Sequence, residues 1–149
     1  MPESQVLSWR RRLVWLMWPW WALAVSHDRY PGQLSLPLSF PERRFRIWSY
    51  MPSHSELVLR TEFQPGAPHI ELLFKPVYQI NLPAAMPDGL VVDIDERVQG
   101  EADAVTFVVS NDHFCGRVLA DYLFLGQEER SRYSPFSLFH GYLGSEFSR

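Results

Sequence analysis

A chain of 149 residues with 46% hydrophobic and 21% charged side chains is sized for one domain with an appended segment, and it is too apolar to be disordered. Its net charge of −3 is uneven: residues 1–26 carry Arg10, Arg11 and Arg12 against Glu3, while residues 27–149 carry eleven basic against sixteen acidic side chains. A body with that balance excludes polyanion binding, which needs clustered cations, so no nucleic acid partner is expected.

Five of the six tryptophans crowd into the start of the chain, at Trp9, Trp15, Trp18, Trp20 and Trp21. Residues 13–25 are uncharged and apolar but contain Pro19. A spanning helix needs about 20 apolar residues, so a single-span anchor is not expected. Arg10, Arg11 and Arg12, the apolar run and Ala22-x-Ala24 follow the order of an export signal ending near Ala24. Tryptophan prefers membrane interfaces to an apolar centre, which counts against that order. Two other readings stand beside it: a non-native or disordered extension on a cytoplasmic protein, and a structural or membrane-interfacial helix. The chain therefore divides into a Trp-rich extension (1–26), a Pro-containing linker (27–42) and a β-rich body (43–149). The linker holds Pro31-Gly32, Pro37 and Pro41, which permit an edge strand at most.

From Arg43 the hydrophobic period is two. Phe45 and Ile47 alternate with Arg44, Arg46 and Trp48. Leu57, Leu59, Thr61 and Phe63 alternate with Glu56, Val58, Arg60 and Glu62, the pattern of a half-buried antiparallel strand. After a Pro-Gly turn at residues 64–68, Ile70, Leu72 and Phe74 are expected to face inward and His69, Glu71 and Lys75 outward. Pro76 marks a bulge or strand end, and residues 83–89 read as a loop. Leu90, Val92 and Ile94, then residues 105–109, continue the alternation. The last run, residues 114–125, is apolar on both sides at its far end, as in a central or bent strand, with Gly116 as the expected bend. Ser134-Pro135 reads as the start of a short C-terminal helix, or of an irregular strap, that plugs one end of the core through Phe136, Leu138, Phe139 and Leu143. The expected fold is a mainly β antiparallel sandwich or partly open barrel of about six strands.

Three groups of side chains could carry chemistry or recognition. Cys115 is the sole cysteine, so it forms no internal disulfide. In an extended strand it would point to the same side as His113, the spacing of a nucleophile and its base. The opposing reading is a surface histidine beside a small, semi-buried hydrophobe. Asp93 and Asp95 form a carboxylate row that fits an acidic partner-binding face or a plain solvated face. Arg46, Trp48 and Tyr50 fall on one side of an ideal strand and have the composition of an interface hot spot. Ser53-His54-Ser55 reads as a turn, and His140 as surface loop.

No glycine-rich phosphate loop, His-Glu-x-x-His or Gly-x-Ser-x-Gly is present, so neither metal nor cofactor is implied. The expected function is a non-enzymatic protein-binding module, for instance an immunity-type inhibitor whose acidic face docks a cationic enzyme. The alternatives are an enzyme using Cys115 and His113, and a barrel holding an apolar ligand. Thirteen arginines against Lys75 alone read as GC-rich codon usage and hence a bacterial source.

Overall fold

In the computed structural model of the protein, the described residues are 14–16 (backbone only), 36–95, 104–128 and 136–139. They form nine strands: β1 Val14–Leu16, β2 Leu38–Phe40, β3 Phe45–Met51, β4 Glu56–Thr61, β5 His69–Asn81, β6 Ala85–Met86, β7 Leu90–Ile94, β8 Val105–Ser110 and β9 Cys115–Glu128. Eight of them make one antiparallel sheet in the order β2-β7-β8-β9-β5-β4-β3-β6, which does not close. β1 lies parallel to β9, with Val14 opposite Leu123 and Leu16 opposite Leu125. It takes the edge of β9 beyond Ala120, where the pairing with β8 stops.

The alternating residues explain the core. Phe45, Leu57, Leu59, Leu72, Phe74, Leu90, Val92, Phe107, Val109, Val118 and Ala120 pack into one cluster. Fully burying such a side chain contributes about 1.5–3 kcal/mol. Strands from both ends of the sheet supply this cluster, so the sheet curls around its own inner face. Phe40 of β2 and Phe45 of β3 bring their rings to 5.4 Å, and Gly89 N donates to Arg43 O at 3.0 Å where the two ends meet. Gly89 has φ +92°, and a Cβ there would stand 3.3 Å from both Glu42 N and Phe40 O, so any other residue would be strained.

The sheet has eight strands on its path rather than about six. The two extra strands, β2 and β6, are three and two residues long, too short for a period of two to show. β2 also lies inside the stretch read as a linker. The short C-terminal helix is not seen: residues 136–139 make a bend and a turn, while Ser134 and Pro135 lie outside the described residues. The turn at Ser53-His54-Ser55 is present, as a single 3-10 turn that ends on Ser55 with φ 50°.

The larger difference concerns the hairpin β4–β5. Every residue of β4, and β5 from His69 to Lys75, is buried, so both faces of the hairpin are covered. His69, Glu71 and Lys75 point away from the main core, as the alternation implies, yet they do not reach solvent. On that outer face Val58, Leu73, Phe124 and Phe139 form a second, smaller core with Tyr122 against it.

β9 serves both layers, as an apolar strand with two covered faces must. Val118 and Ala120 enter the main core, then Leu123 and Leu125 do, so the inward face changes between Ala120 and Leu123. The neighbouring strand changes at the same level. The register passes from Lys75 opposite Tyr122 to Val77 opposite Ala120 with no pair at Pro76, which has no N–H to offer the ladder. A bulge between Val77 and Gln79 follows. Gly116 is therefore not the bend. It is a close approach, since a Cβ there would lie 2.4 Å from Asn81 O.

Candidate functional site

The cross-strand register sets out the outer face of the sheet. Arg46 stands opposite Arg60 and Arg60 opposite Glu71, and in an antiparallel pair opposite residues share a face. Glu71 is fully buried and is the hub of this face. Its Oε1 receives His69 Nε2 at 2.8 Å and Arg60 Nε at 3.4 Å. Its Oε2 accepts the Ser137 hydroxyl and, at 2.8 Å, the Leu138 backbone N–H. His69 Nδ1 lies 3.5 Å from Thr61 Oγ1, which also accepts Ile70 N at 3.0 Å. One row along, Lys75 Nζ bonds Glu56 Oε1 at 2.7 Å, again in a buried pair. Two acidic and two basic side chains thus lie beneath the second core, each matched by an opposite charge. Buried charges are tolerated only when paired in this way.

The same network reaches the surface. The Arg60 guanidinium lies 4.2 Å from the centre of the Trp48 ring. Trp48 is 40% exposed, so a tryptophan edge is presented to solvent while a cation held by Glu71 steadies its ring. Beside it, Arg44 and Arg46 are exposed and share a single carboxylate, Glu62, at 3.7 and 3.5 Å. This is a local excess of positive charge on an acidic body. At the far end of the sheet's outer face Tyr78 is exposed, with its hydroxyl donating to Asp121 at 3.1 Å. Partial burial, then the hydrogen bond and charge of Asp121, raise its pKa above that of a free phenol. Arg43 ties the start of β3 to the turn below β4 through Pro68 O and Glu62 O, and burial lowers its pKa from the ordinary value.

The predicted stripe is only partly brought together. β3 carries a register shift between Ile47 and Ser49, which makes Trp48 a bulge. Beyond it Tyr50 stands opposite Leu57, a core-facing residue, whereas Arg46 stands opposite Arg60 on the outer face. Arg46 and Trp48 therefore share a face that Tyr50 does not, although Tyr50 is also exposed at the sheet margin. A bulge inserts one residue into a strand and so inverts the parity after it. Nothing in the alternation of β3 marks it.

Asp93 and Asp95 do not form an exposed row. Asp93 is exposed and accepts the Ile94 N–H at 2.8 Å. Asp95 lies just past the end of β7, is buried, donates its N–H to Thr106 O, and sits 3.5 Å from Arg117 Nη2. His113 and Cys115 are likewise separated by local geometry. His113 belongs to the β8–β9 turn, where Asn111 Oδ1 accepts the His113 and Phe114 N–H groups, an Asx turn. Its ring Nε2 lies 3.3 Å from Asp88 Oδ2, both side chains being well exposed. Cys115 begins β9, is exposed, and is not hydrogen-bonded to His113. Among the described residues no group of three or more His, Cys, Asp or Glu side chains could hold a metal ion, and no helix is long and apolar enough to cross a membrane. His140 lies outside the described residues.

The residues missed by alternation are Glu56, Arg60, His69, Glu71 and Lys75. A signal for them is present: Glu56 with Lys75 and Arg60 with Glu71 are opposite charges at matched distances from the turn at residues 64–68. Val58 and Leu73, apolar on the same face, mark that face as covered. No protein-family model, curated protein or solved structure matches the chain.

Proposed function

We propose that this protein is a non-enzymatic protein-binding module that engages its partner through the outer face of β3, with Arg46 and Trp48 as anchors. The observation that carries this reading is the half-exposed Trp48 ring held on the buried Arg60–Glu71 pair. A tryptophan that is already ordered loses little freedom on binding, and Trp and Arg dominate interface hot spots. The partner surface that fits is an apolar pocket for the indole, rimmed by acidic groups that meet Arg44 and Arg46.

The other readings have less behind them. An apolar ligand inside the sheet would compete with Phe45, Phe74, Met86 and Phe107, which fill the interior; the Phe74 and Phe107 rings meet edge to face at 5.4 Å. An immunity-type protein that docks a cationic enzyme through Asp93 and Asp95 loses one of its two carboxylates to the interior. A Cys115 nucleophile has His113 turned toward Asp88.

Affinity isolation from the source cells with the full chain, Arg46→Glu and Trp48→Ala tests the proposal, with thermal melting as the check on folding. Loss of a hot-spot residue costs about 2 kcal/mol or more, so a partner retained by the wild type should bind each variant roughly 30-fold more weakly. A partner held equally by the wild type and both folded variants contradicts it.

A further inference from the structure

The two oxygens of Glu71 serve different parts of the molecule. Oε1 faces the sheet, where Arg60 and His69 reach it. Oε2 faces the C-terminal strap of residues 137–139, where Ser137 and Leu138 donate to it. The strap is internally braced by Phe139 N on Ser137 Oγ at 3.0 Å, and Phe139 packs on Val58, Leu73 and Phe124 and lies against Gly126. No ladder hydrogen bond holds residues 137–139 to a strand among the described residues. Among the described residues, the polar hold on residues 137–139 is one carboxylate oxygen.

That carboxylate is also what positions Arg60, and Arg60 lies against Trp48. A continuous line of contacts runs from an exposed ring, through two buried charges, to the strap. Lifting the strap would leave Oε2 without its two donors in a buried place, where an unmet acceptor costs far more than at the surface. A carboxylate that turns toward Arg60 to recover a donor re-aims the guanidinium under Trp48.

We infer that the C-terminal strap regulates the Trp48 surface: docking of residues 137–139 on Glu71 fixes Arg60 and, through it, the geometry of the binding face. This regulatory role rests on the reading of Trp48 as an anchor, whereas the coupling itself belongs to the isolated chain. Coupling between two sites is reciprocal, so a change at Trp48 must also loosen the strap. The coupling requires that the strap exchange between a docked and a lifted state.

The test uses the full chain in solution, with the Trp48 indole N–H assigned by comparison with Trp48→Phe. Ser137→Ala, which removes one hydroxyl far from the indole, should speed exchange of the Leu138 amide about five- to ten-fold, the effect of one hydrogen bond, and should also displace the Trp48 indole resonance. In the opposite direction, Trp48→Ala, a change at a 40% exposed side chain, should speed Leu138 exchange at least two-fold, while Tyr78→Ala should not. An unmoved indole in Ser137→Ala, or unchanged Leu138 exchange in Trp48→Ala, overturns the coupling. Coupling with a partner that ignores Trp48 would instead overturn the anchor reading and leave the strap linkage standing.

Discussion

Glu71 decides what the buried polar residues of this protein mean. Four donors converge on it, from β4, from β5 and from the strap. Removing one partner of a buried ion pair leaves the other charge unmatched, at a cost of about 3–5 kcal/mol. Glu71→Ala should therefore lower unfolding stability by about that amount in urea titration, because Arg60 and His69 lose their shared acceptor. Glu71→Leu with Arg60→Met, which removes both charges and restores apolar volume, should recover only the part due to the unmatched Arg60 charge, because His69, Ser137 and the Leu138 N–H still lack their acceptor. If Glu71→Ala costs no more than a surface substitution, the network does not hold the second core. None of this was legible from alternation alone. Polar residues at every second position ordinarily mean water, and here they mean a covered face whose charges neutralise each other across the hairpin.

At the scale of elements, the apolar half of the pattern reads directly from the sequence. Leu57, Leu59, Leu72, Phe74, Leu90 and Val92 all enter the main core, and the hairpin over residues 55–75 has the expected turn. Two of the departures come from insertions of one residue. The bulge at Trp48 parts Tyr50 from Arg46, and the bulge at Tyr78 re-aims the second half of β5. A period of two carries no mark of where it slips, because the slip is set by twist and by neighbours distant in sequence. The Tyr78 bulge has a measurable consequence at high pH. Partial burial of the phenol, and then its hydrogen bond to Asp121, make the folded state hold that proton more tightly than the unfolded state does. The associated stability is fully present below the ordinary phenol pKa and is lost as pH rises through the raised, folded value. In wild type, denaturant midpoints should fall on passing from pH 9 to pH 11 more steeply than in Tyr78→Phe. Equal slopes in the two proteins would show that the Asp121 contact does not hold the proton.

Across the whole molecule, one open sheet is covered on two sides. Its inner face is packed by its own side chains, and its outer face is closed at the centre by the second core and the strap. What remains open on the outer face includes Arg44, Arg46 and Trp48 on one side, Tyr78 on β5, and Val91, Asp93 and Arg117 on the other side. The charge layout sharpens the contrast. The body is acidic overall, yet Arg44 and Arg46 share one carboxylate beside the exposed tryptophan. The Trp-rich start of the chain meets this sheet through β1, whose three residues pair with β9 at Leu123 to Leu125. The composition that sets residues 1–26 apart does not reveal that pairing. The direct test of the binding face is site-specific photo-crosslinking in the source cells. A photo-reactive side chain replaces Trp48 in one full-length variant and Asp93 in another. The account predicts a discrete covalent adduct from position 48, abolished when Arg46→Glu is added, and none from position 93. An adduct from position 93 with none from position 48 would contradict it and move the binding face to the other end of the sheet.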